Sequence, residues 1–588
     1  MAMVILNQQE EIELEQKYIT NKSTGKNLAY DIMNRLRDRI SVRDYVVATV
    51  SISALAYWYK ASGTHGGVLE KINDCLRDEI TKKTLCDFAQ RYWSEVEWVS
   101  TLAEAEDFKE MVLGLDFSDM NAREMGGYNT PNGIAKLVIE LLDIKSDDIV
   151  LNLCSGYADF LTEIAKKTSP KQSLIGVELN TSAIQVANIR IGLMDRSIEI
   201  IQGNMLSQDF SKLKANKVFS DFPFMVRGWN DLIKSNKKLY PYFENAKKTL
   251  TPDWVYATAT MLNQEKSGRT VVRMANAGLW NEVDQDIRKM FIMSGLVEAV
   301  ISMPEKLLDD TMIPFTLLVL SQNNKSIKMV DATDFYTAGR RQNTIEDNDI
   351  QNILEAYRTN SDKSKEVTIE ELEKQEYILN PLRYISIPNF IGKMTEAVSL
   401  GDIVCVPISR GAVVRSSELD ELISIQPTNF QYLMLKDISN GRLSDELPYL
   451  VGLEEKYAKF CIKNGDLIIS KISPFKVAMA EVDESKKVLA NGNLYFLEID
   501  ETKANPIYVM LYLQSEAGMM QLNSWAKGAA MKSISIKDLQ KILIPVIPLE
   551  QQNKIADEYR ELNSELLVVS RQATLIRDKI EHLVEEVL

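Results

Sequence analysis

A chain of 588 residues exceeds what one hydrophobic core accommodates and points to three or more domains. Its composition, 45% apolar and 26% charged, excludes disordered, collagen-like and low-complexity classes, and no apolar run reaches bilayer-spanning length. The net charge of −15 excludes a uniformly basic nucleic-acid coat, but phosphate binding depends on local potential, so a basic groove with modest affinity and steep salt dependence is allowed.

Residues 1–115 read as helical, with mixed amphipathic spacing over Leu28–Arg37 and a largely apolar helix over Val46–Trp58. The acidic run Glu10-Glu11-Ile12-Glu13 directly follows Met1–Leu6, so no cleavable signal is read and a cytoplasmic location is expected. Five scattered cysteines, Cys75, Cys86, Cys154, Cys405 and Cys461, lack any Cys-x-x-Cys pair and indicate neither disulfides nor a metal site. The two histidines, His65 and His582, read as surface or structural residues. No Asp…Glu-x-Lys nuclease constellation occurs in this helical region.

Gly127-Tyr128-Asn129-Thr130-Pro131 leads into a helix expected over Gly133–Leu142. The stretch from Ile149 to Phe224 then gives four strand ends in succession. Ile149–Leu153 is a short apolar run that passes through the small-residue turn Cys154-Ser155-Gly156-Tyr157-Ala158 into a helix. Leu174–Asn180 is a second strand carrying Glu178, about 20 residues beyond the turn, where a carboxylate can take a ribose hydroxyl pair. Ile198–Gln202 ends in Gly203-Asn204, and Lys217–Ser220 ends in Asp221-Phe222-Pro223-Phe224. In an open parallel sheet, ligands lie outside the carboxyl ends of the strands, so these four ends face one crevice. Ser155, Gly156 and Ala158 allow close backbone approach, Glu178 binds a ribose, and Asn204 reads an adenine edge. One adenosine would use all three features.

From about 343 to 384 the chain turns polar and helical and closes on Leu379-Asn380-Pro381-Leu382-Arg383-Tyr384, a domain boundary. Residues 395–550 are strand-rich, with turns at Asn440-Gly441, Asn464-Gly465-Asp466 and Asn491-Gly492. The tail carries Ile555, Tyr559, Leu562, Leu566, Val569, Ala573, Ile576, Ile580, Leu583 and Val587 at spacings of four and three, a heptad seam that needs a partner helix.

The Asp221–Phe224 loop resembles the Asn/Asp-Pro-Pro-Tyr/Phe loop of S-adenosylmethionine-dependent methyltransferases that modify an exocyclic amine, and more narrowly the modification subunits of type I restriction–modification systems. The resemblance runs from about Gly126 to Tyr384, through Ser267–Val272, Gly278-Leu279-Trp280, Ile287-Arg288-Lys289, Leu296–Ile301 and Ile313–Leu320. It implies that Tyr128, Thr130 and Pro131 close over the methionine end of the cofactor, and that residues 1–115 either grip DNA or the specificity subunit, or act as a packing cap. Leu400–Ile403, Tyr432–Ile438, Gly465–Lys471 and Ile544–Gln552 resemble one target-recognition half of a type I specificity subunit. Such a domain reads base edges in the major groove, with Arg410, Arg415, Lys471, Lys476, Lys527 and Lys532 as candidate contacts. A specificity half ordinarily pairs its helix with that of a second half, so the resemblance implies self-association or pairing with a separate specificity chain.

Adenine's exocyclic amine is a weak nucleophile because its lone pair is delocalised into the ring. The resemblance assigns its proton acceptors to Asp221 and the Phe222 carbonyl, and stacking on the flipped base to Phe224. The sequence departs from the family pattern at Phe222 (usually Pro), Asn152 (commonly Asp), Ala158 (a second Gly) and Asn204 (commonly Asp).

The expected architecture is α/β: a helical domain over 1–115, a Rossmann-like methyltransferase domain over 116–390, an α+β target-recognition domain over 391–550 and a coiled-coil helix over 551–588. The expected activity is methylation of adenine N6, which the resemblance favours over cytosine N4, in double-stranded DNA within a restriction–modification or related phage-defence system, with or without a separate restriction subunit. The alternative is a catalytically degenerate, non-methylating DNA-binding subunit of a defence complex.

Overall fold

The apolar run Ile149–Leu153 forms β1, a central strand of a nine-stranded sheet, with Val150–Leu153 buried. The computed structural model describes residues 25–37, 39–41, 44–114, 129–167, 172–194, 196–224, 226–246, 250–308, 311–340, 342–385, 397–528 and 531–582. The chain divides into two units, residues 1–381 and 382–588.

In the first unit the sheet continues with β2 (Ser173–Glu178), β3 (Glu199–Gln202), β4 (Ala215–Ser220), β5 (Gln264–Ala275), β6 (Val297–Ser302), β7 (Phe315–Leu320), β8 (Ser326–Asp331) and β9 (Ser364–Thr368). Its order is β3-β2-β1-β4-β5-β7-β6-β8-β9. The strands β1 to β5 are parallel, while β7 runs antiparallel to both of its neighbours. The order reverses between β1 and β4, the switch point at which such sheets bind ligands. Helices Asn132–Leu142, Asp159–Lys167 and Asp347–Arg358 bury their apolar stripes against this sheet.

The amino-terminal region is helical over Gly25–Leu36, Tyr45–Ser62, His65–Cys75, Glu79–Arg91, Trp93–Ser100 and Ala105–Leu113. Tyr45–Ser62 has almost no polar stripe, and it is buried along most of its length, as such a sequence requires. It shares one core with Tyr157, with Ala183, Val186 and Ile189 of the helix Thr181–Gly192 and with Leu193, which caps that helix, so the amino-terminal helices pack directly on the layer that flanks the nine-stranded sheet.

The polar stretch 343–384 is not helical throughout. Helices Asp347–Arg358 and Ile369–Lys374 form as expected, but β9 lies between them and pairs antiparallel with β8. Only Ser364 and Val367 of β9 are buried, so this edge strand lacks the apolar alternation that would mark it in the sequence.

The second unit holds a four-stranded sheet that includes Leu467–Ser470, Val477–Met479 and Leu494–Leu497, and a five-stranded sheet that includes Phe430–Leu433, Cys461–Ile462 and Lys487–Ala490. Helices Pro506–Gln514 and Glu516–Trp525 share a core with the first of these sheets. Each expected turn falls between strands. Asn440 and Gly441 take φ of 49° and 78°, the left-handed pair that closes a two-residue hairpin between Ser439 and Arg442.

Leu549–His582 is one helix of 34 residues. Gln552 and Ala556 are buried at its base, and Tyr559 packs on the unit's core. Beyond that point Leu562, Leu566, Val569, Ile576 and Ile580 are between 58% and 61% exposed, so the seam is uncovered in the single chain. Leu583 and Val587 lie outside the described residues. All five cysteines are free, and among the described residues no helix is long and apolar enough to cross a membrane.

Candidate active site

The turn after β1 is tight enough to need positive φ at Cys154 (59°), Gly156 (53°) and Ala158 (63°). At the fully buried Ala158 this conformation costs roughly 1–2 kcal/mol, because its Cβ crowds the following carbonyl. Neighbouring strands hold the turn in place. Ser155 N donates to Val177 O at 3.0 Å, and Gly156 N donates to Glu178 Oε2 at 2.9 Å. The other Glu178 oxygen accepts from Leu179 N and Asn180 N, each at 2.8 Å. The carboxylate ending β2 therefore fixes the turn ending β1. Gly176 is required beside it, since a Cβ there would lie 2.8 Å from Ser155 Oγ and 2.7 Å from Ile200 Cδ1. Ser155 Oγ is buried without a hydrogen-bond partner. Asn204 is half-buried at the end of β3, and its Oδ1 accepts from Leu206 N at 2.9 Å. The buried Asn152 Nδ2 reaches Phe219 O at 3.3 Å, tying β1 to β4.

Thr130 joins the segment before the helix Asn132–Leu142 to both halves of the site. Its N donates to Asp159 Oδ2 at 3.1 Å and its Oγ1 to Asp221 Oδ2 at 2.6 Å. Pro131 caps the helix, and Tyr128 lies outside the described residues. Asp159 is in turn paired with Arg190 Nη1 at 2.6 Å, and this arginine, 2% exposed, also donates to Tyr157 O and Leu113 O. Sequence reading missed Asp159 and Arg190. Asp159 does stand in the first turn of its helix, where a carboxylate is ordinary; nothing local marks Arg190.

At the end of β4, Asp221 N donates to Leu153 O at 3.4 Å. The Phe222 ring is fully buried and stacks on Tyr256, with ring centroids 4.3 Å apart and planes inclined by 11°. The aromatic that replaces the family's proline thus turns into the core, while its carbonyl stays at the site. Pro223 is exposed and Phe224 half-buried.

A third residue absent from the sequence reading, Arg273, closes the constellation. The β4–β5 register sets Val272 beside Ser220, which brings the next residues, Arg273 and Asp221, together. Arg273 Nε donates to Asp221 Oδ1, its Nη2 donates to Phe222 O at 3.1 Å, and its guanidinium carbon lies 4.4 Å from the Phe224 ring centroid. Its Nη1 is buried without a partner. Nearby, burial pushes the Asp253 carboxyl up to about 6, although it accepts from Ala275 N at 2.6 Å. Burial, with the charges of Glu178 and Asp221, pushes the Cys154 thiol well up, which leaves it a poor nucleophile.

In the second unit, four of the six basic candidates sit on adjoining segments. Arg410 Nε donates to Gly492 O at 2.7 Å, and Lys471 N donates to Asn493 O at 2.7 Å. Ser473 N donates to Lys532 O, and Lys527 and Ser533 exchange backbone hydrogen bonds. Burial and the neighbouring Arg410 charge lower the Lys471 ammonium pKa, a local concentration of positive charge. Lys527 is paired with Asp538 at 3.0 Å. The other two differ in their side chains: the Lys476 ammonium is held by Leu435 O and Ile438 O at 3.0 and 2.7 Å, and Arg415 is exposed ahead of the helix Ser416–Leu422.

Comparison with known proteins finds two families along the chain. Residues 106–390 match the N-6 DNA Methylase family, and residues 393–566 match the Type I restriction modification DNA specificity domain. The type I restriction enzyme MjaVIII methylase subunit of Methanocaldococcus jannaschii is 28% identical over 46% of this chain and 51% of its own length. The MjaIX methylase subunit of the same organism is 25% identical over 47% and 55%. The chain thus spans about half the length of these curated relatives. A type I methyltransferase subunit structure from Streptococcus thermophilus aligns with 62% of this chain and 99% of its own, with a TM-score of 0.47 and 16% identity.

Proposed function

Since the chain belongs to the N-6 DNA methylase family of type I modification subunits and carries a type I specificity domain in the same polypeptide, we propose that it methylates N6 of adenine in double-stranded DNA at a site chosen by its second unit. It would do so in the cytoplasm, within a restriction–modification or related phage-defence system. The observation that carries this reading is the convergence of the 154–158 turn, Glu178, Asn204 and Asp221–Phe224 at the carboxyl ends of four adjacent parallel strands.

S-adenosylmethionine, when bound, supplies a methyl group already activated by its sulfonium centre. The residues present fit its adenosine half. Ser155 Oγ is a buried hydroxyl without a protein partner, accommodated by the missing side chain of Gly176. Glu178 offers its carboxylate to the ribose hydroxyls and Asn204 its amide to the adenine edge, while Gly156 and Ala158 keep the turn close. Asn152 braces β1 against β4 beneath them. Tyr128, Thr130 and Pro131 close over the methionine half. The chain's own part in the chemistry is orientation: Asp221 and the Phe222 carbonyl accept the amine protons, directing the lone pair, and Phe224 stacks on the flipped base.

Arg410, Lys471 and Lys532 contact the duplex, with Lys527 beside them and Arg415 further along, while Lys476 braces the fold. The uncovered seam of Leu549–His582 pairs with a second copy or a separate specificity chain, so that a two-fold assembly reads a two-part target. A separate restriction subunit would complete the system.

The test is methyl transfer from labelled S-adenosylmethionine to unmethylated bacterial DNA by the purified chain. N6-methyladenine in the digested DNA is the expected product. A chain that binds both the cofactor and duplex but leaves the DNA unlabelled would instead be a non-methylating DNA-binding subunit, a reading that the Arg273 contacts to Asp221 and Phe222 favour.

A further inference from the structure

We infer that Arg273 occupies the target-base site of the free chain as an internal stand-in for adenine, and that base entry requires its displacement. The inference rests on the roles proposed above for Asp221, Phe222 and Phe224. Those roles give the incoming base three contacts: a proton accepted by Asp221, a proton accepted by the Phe222 carbonyl, and a flat face against Phe224. Arg273 already makes all three. Its Nε donates to Asp221 Oδ1, its Nη2 to Phe222 O at 3.1 Å, and its guanidinium lies over the Phe224 ring at 4.4 Å.

Each oxygen of the site already carries a donor, the second Asp221 oxygen taking the Thr130 hydroxyl at 2.6 Å, and Phe224 also packs on the sheet's core cluster. A base that makes the same three contacts would overlap the guanidinium, so it must replace it. The shut arrangement is also incomplete, because Arg273 Nη1 is buried without a partner, a desolvated donor that favours departure. Arg273 enters the site from β5, held by register with β4 and by pairing with Leu317 on β7, so its backbone is fixed and only the side chain needs to move. A planar cation thus fills a planar base's contacts until DNA arrives.

The test compares wild type with Arg273→Leu in the full chain, using two readouts after equal affinity for S-adenosylmethionine has shown that both are folded. The first is single-turnover methyl transfer to unmethylated bacterial DNA. If shut outweighs open by about ten to one, removing the occupant raises the rate about tenfold. An equal or slower rate in the variant, with cofactor and DNA binding intact, overturns the inference and makes Arg273 a positioning residue. If neither chain transfers methyl, the proposed function fails and the second readout decides the inference alone. It is saturation-transfer NMR to free adenine, with sinefungin filling the cofactor site. Adenine contact in Arg273→Leu and none in wild type supports an occupied base site. Equal signals, or none in either chain, contradict it.

Discussion

The ring of Phe222 lies against that of Tyr256, with centroids 4.3 Å apart and planes 11° from parallel, and neither the stack nor its burial disturbs the carbonyl that faces the site. A residue at odds with the family's proline is thereby given a structural role behind the loop. Phe222→Ala should open a cavity in a closed core and destabilise the first unit by about 3–5 kcal/mol. Thermal unfolding of the full chain would register this as a lowered first transition. An unchanged transition would remove the stack from the account.

Asp253 supplies a pH test. Its folded carboxyl titrates at about 6, against an ordinary value of 3.8, because burial penalises the charged form. The folded state therefore binds the proton more tightly than the unfolded chain does. The stability from this group is fully present below pH 3.8 and is lost as the pH rises through 6. Asp253→Asn keeps an oxygen for Ala275 N and cannot ionise. The stability gap between wild type and variant should shift by about 1.4 kcal/mol between pH 5 and pH 8, with wild type the relative loser at pH 8. Urea titrations of both chains at the two pH values measure it, and a constant gap would contradict the assignment.

Thr130 links the segment before the helix Asn132–Leu142 to the 221–224 loop through a 2.6 Å hydrogen bond to Asp221. Thr130→Val should slow methyl transfer, measured at saturating cofactor, by roughly 10- to 100-fold, the worth of a hydrogen bond to a charged group. A loss confined to cofactor binding would place Thr130 with the cofactor alone.

The four strand ends of the candidate site could be read in advance because short apolar runs closed by small or polar residues are a local signal. Arg273 could not, since its position follows from the β4–β5 register, and neither of the two arginines in Ser267–Leu279, Arg269 and Arg273, carries a mark of it. Strand β9 was hidden for a related reason: with Ser364 and Val367 alone buried, it looks like a polar helix or loop. Lys476 shows the converse case. In the sequence it is one more basic residue of a recognition domain; in the fold its ammonium holds the Leu435 and Ile438 carbonyls.

That contrast can be measured. Replacing both Arg410 and Lys471 with Ala should lower duplex affinity and flatten its log–log dependence on salt by about 2, one for each lost phosphate contact. Lys476→Met should leave the slope unchanged and lower stability. Identical slopes in all three chains would move the DNA interface elsewhere.

The helix Leu549–His582 presents Leu562, Leu566 and Val569 to solvent at 60%, 61% and 59% exposure. A helix with such a seam associates in water. Sedimentation should show a dimer for the purified chain and a monomer for Leu566→Glu. A wild type that stays monomeric at micromolar concentration would assign the seam to a different chain.

The central claim, adenine methylation directed by Asp221, is tested most directly by long-read methylation profiling of DNA from cells expressing wild type or Asp221→Ala. The account predicts a modified adenine within one recurring motif in the first and none in the second. Unmodified DNA from both, with a purified wild-type chain that is folded and binds duplex, would contradict it.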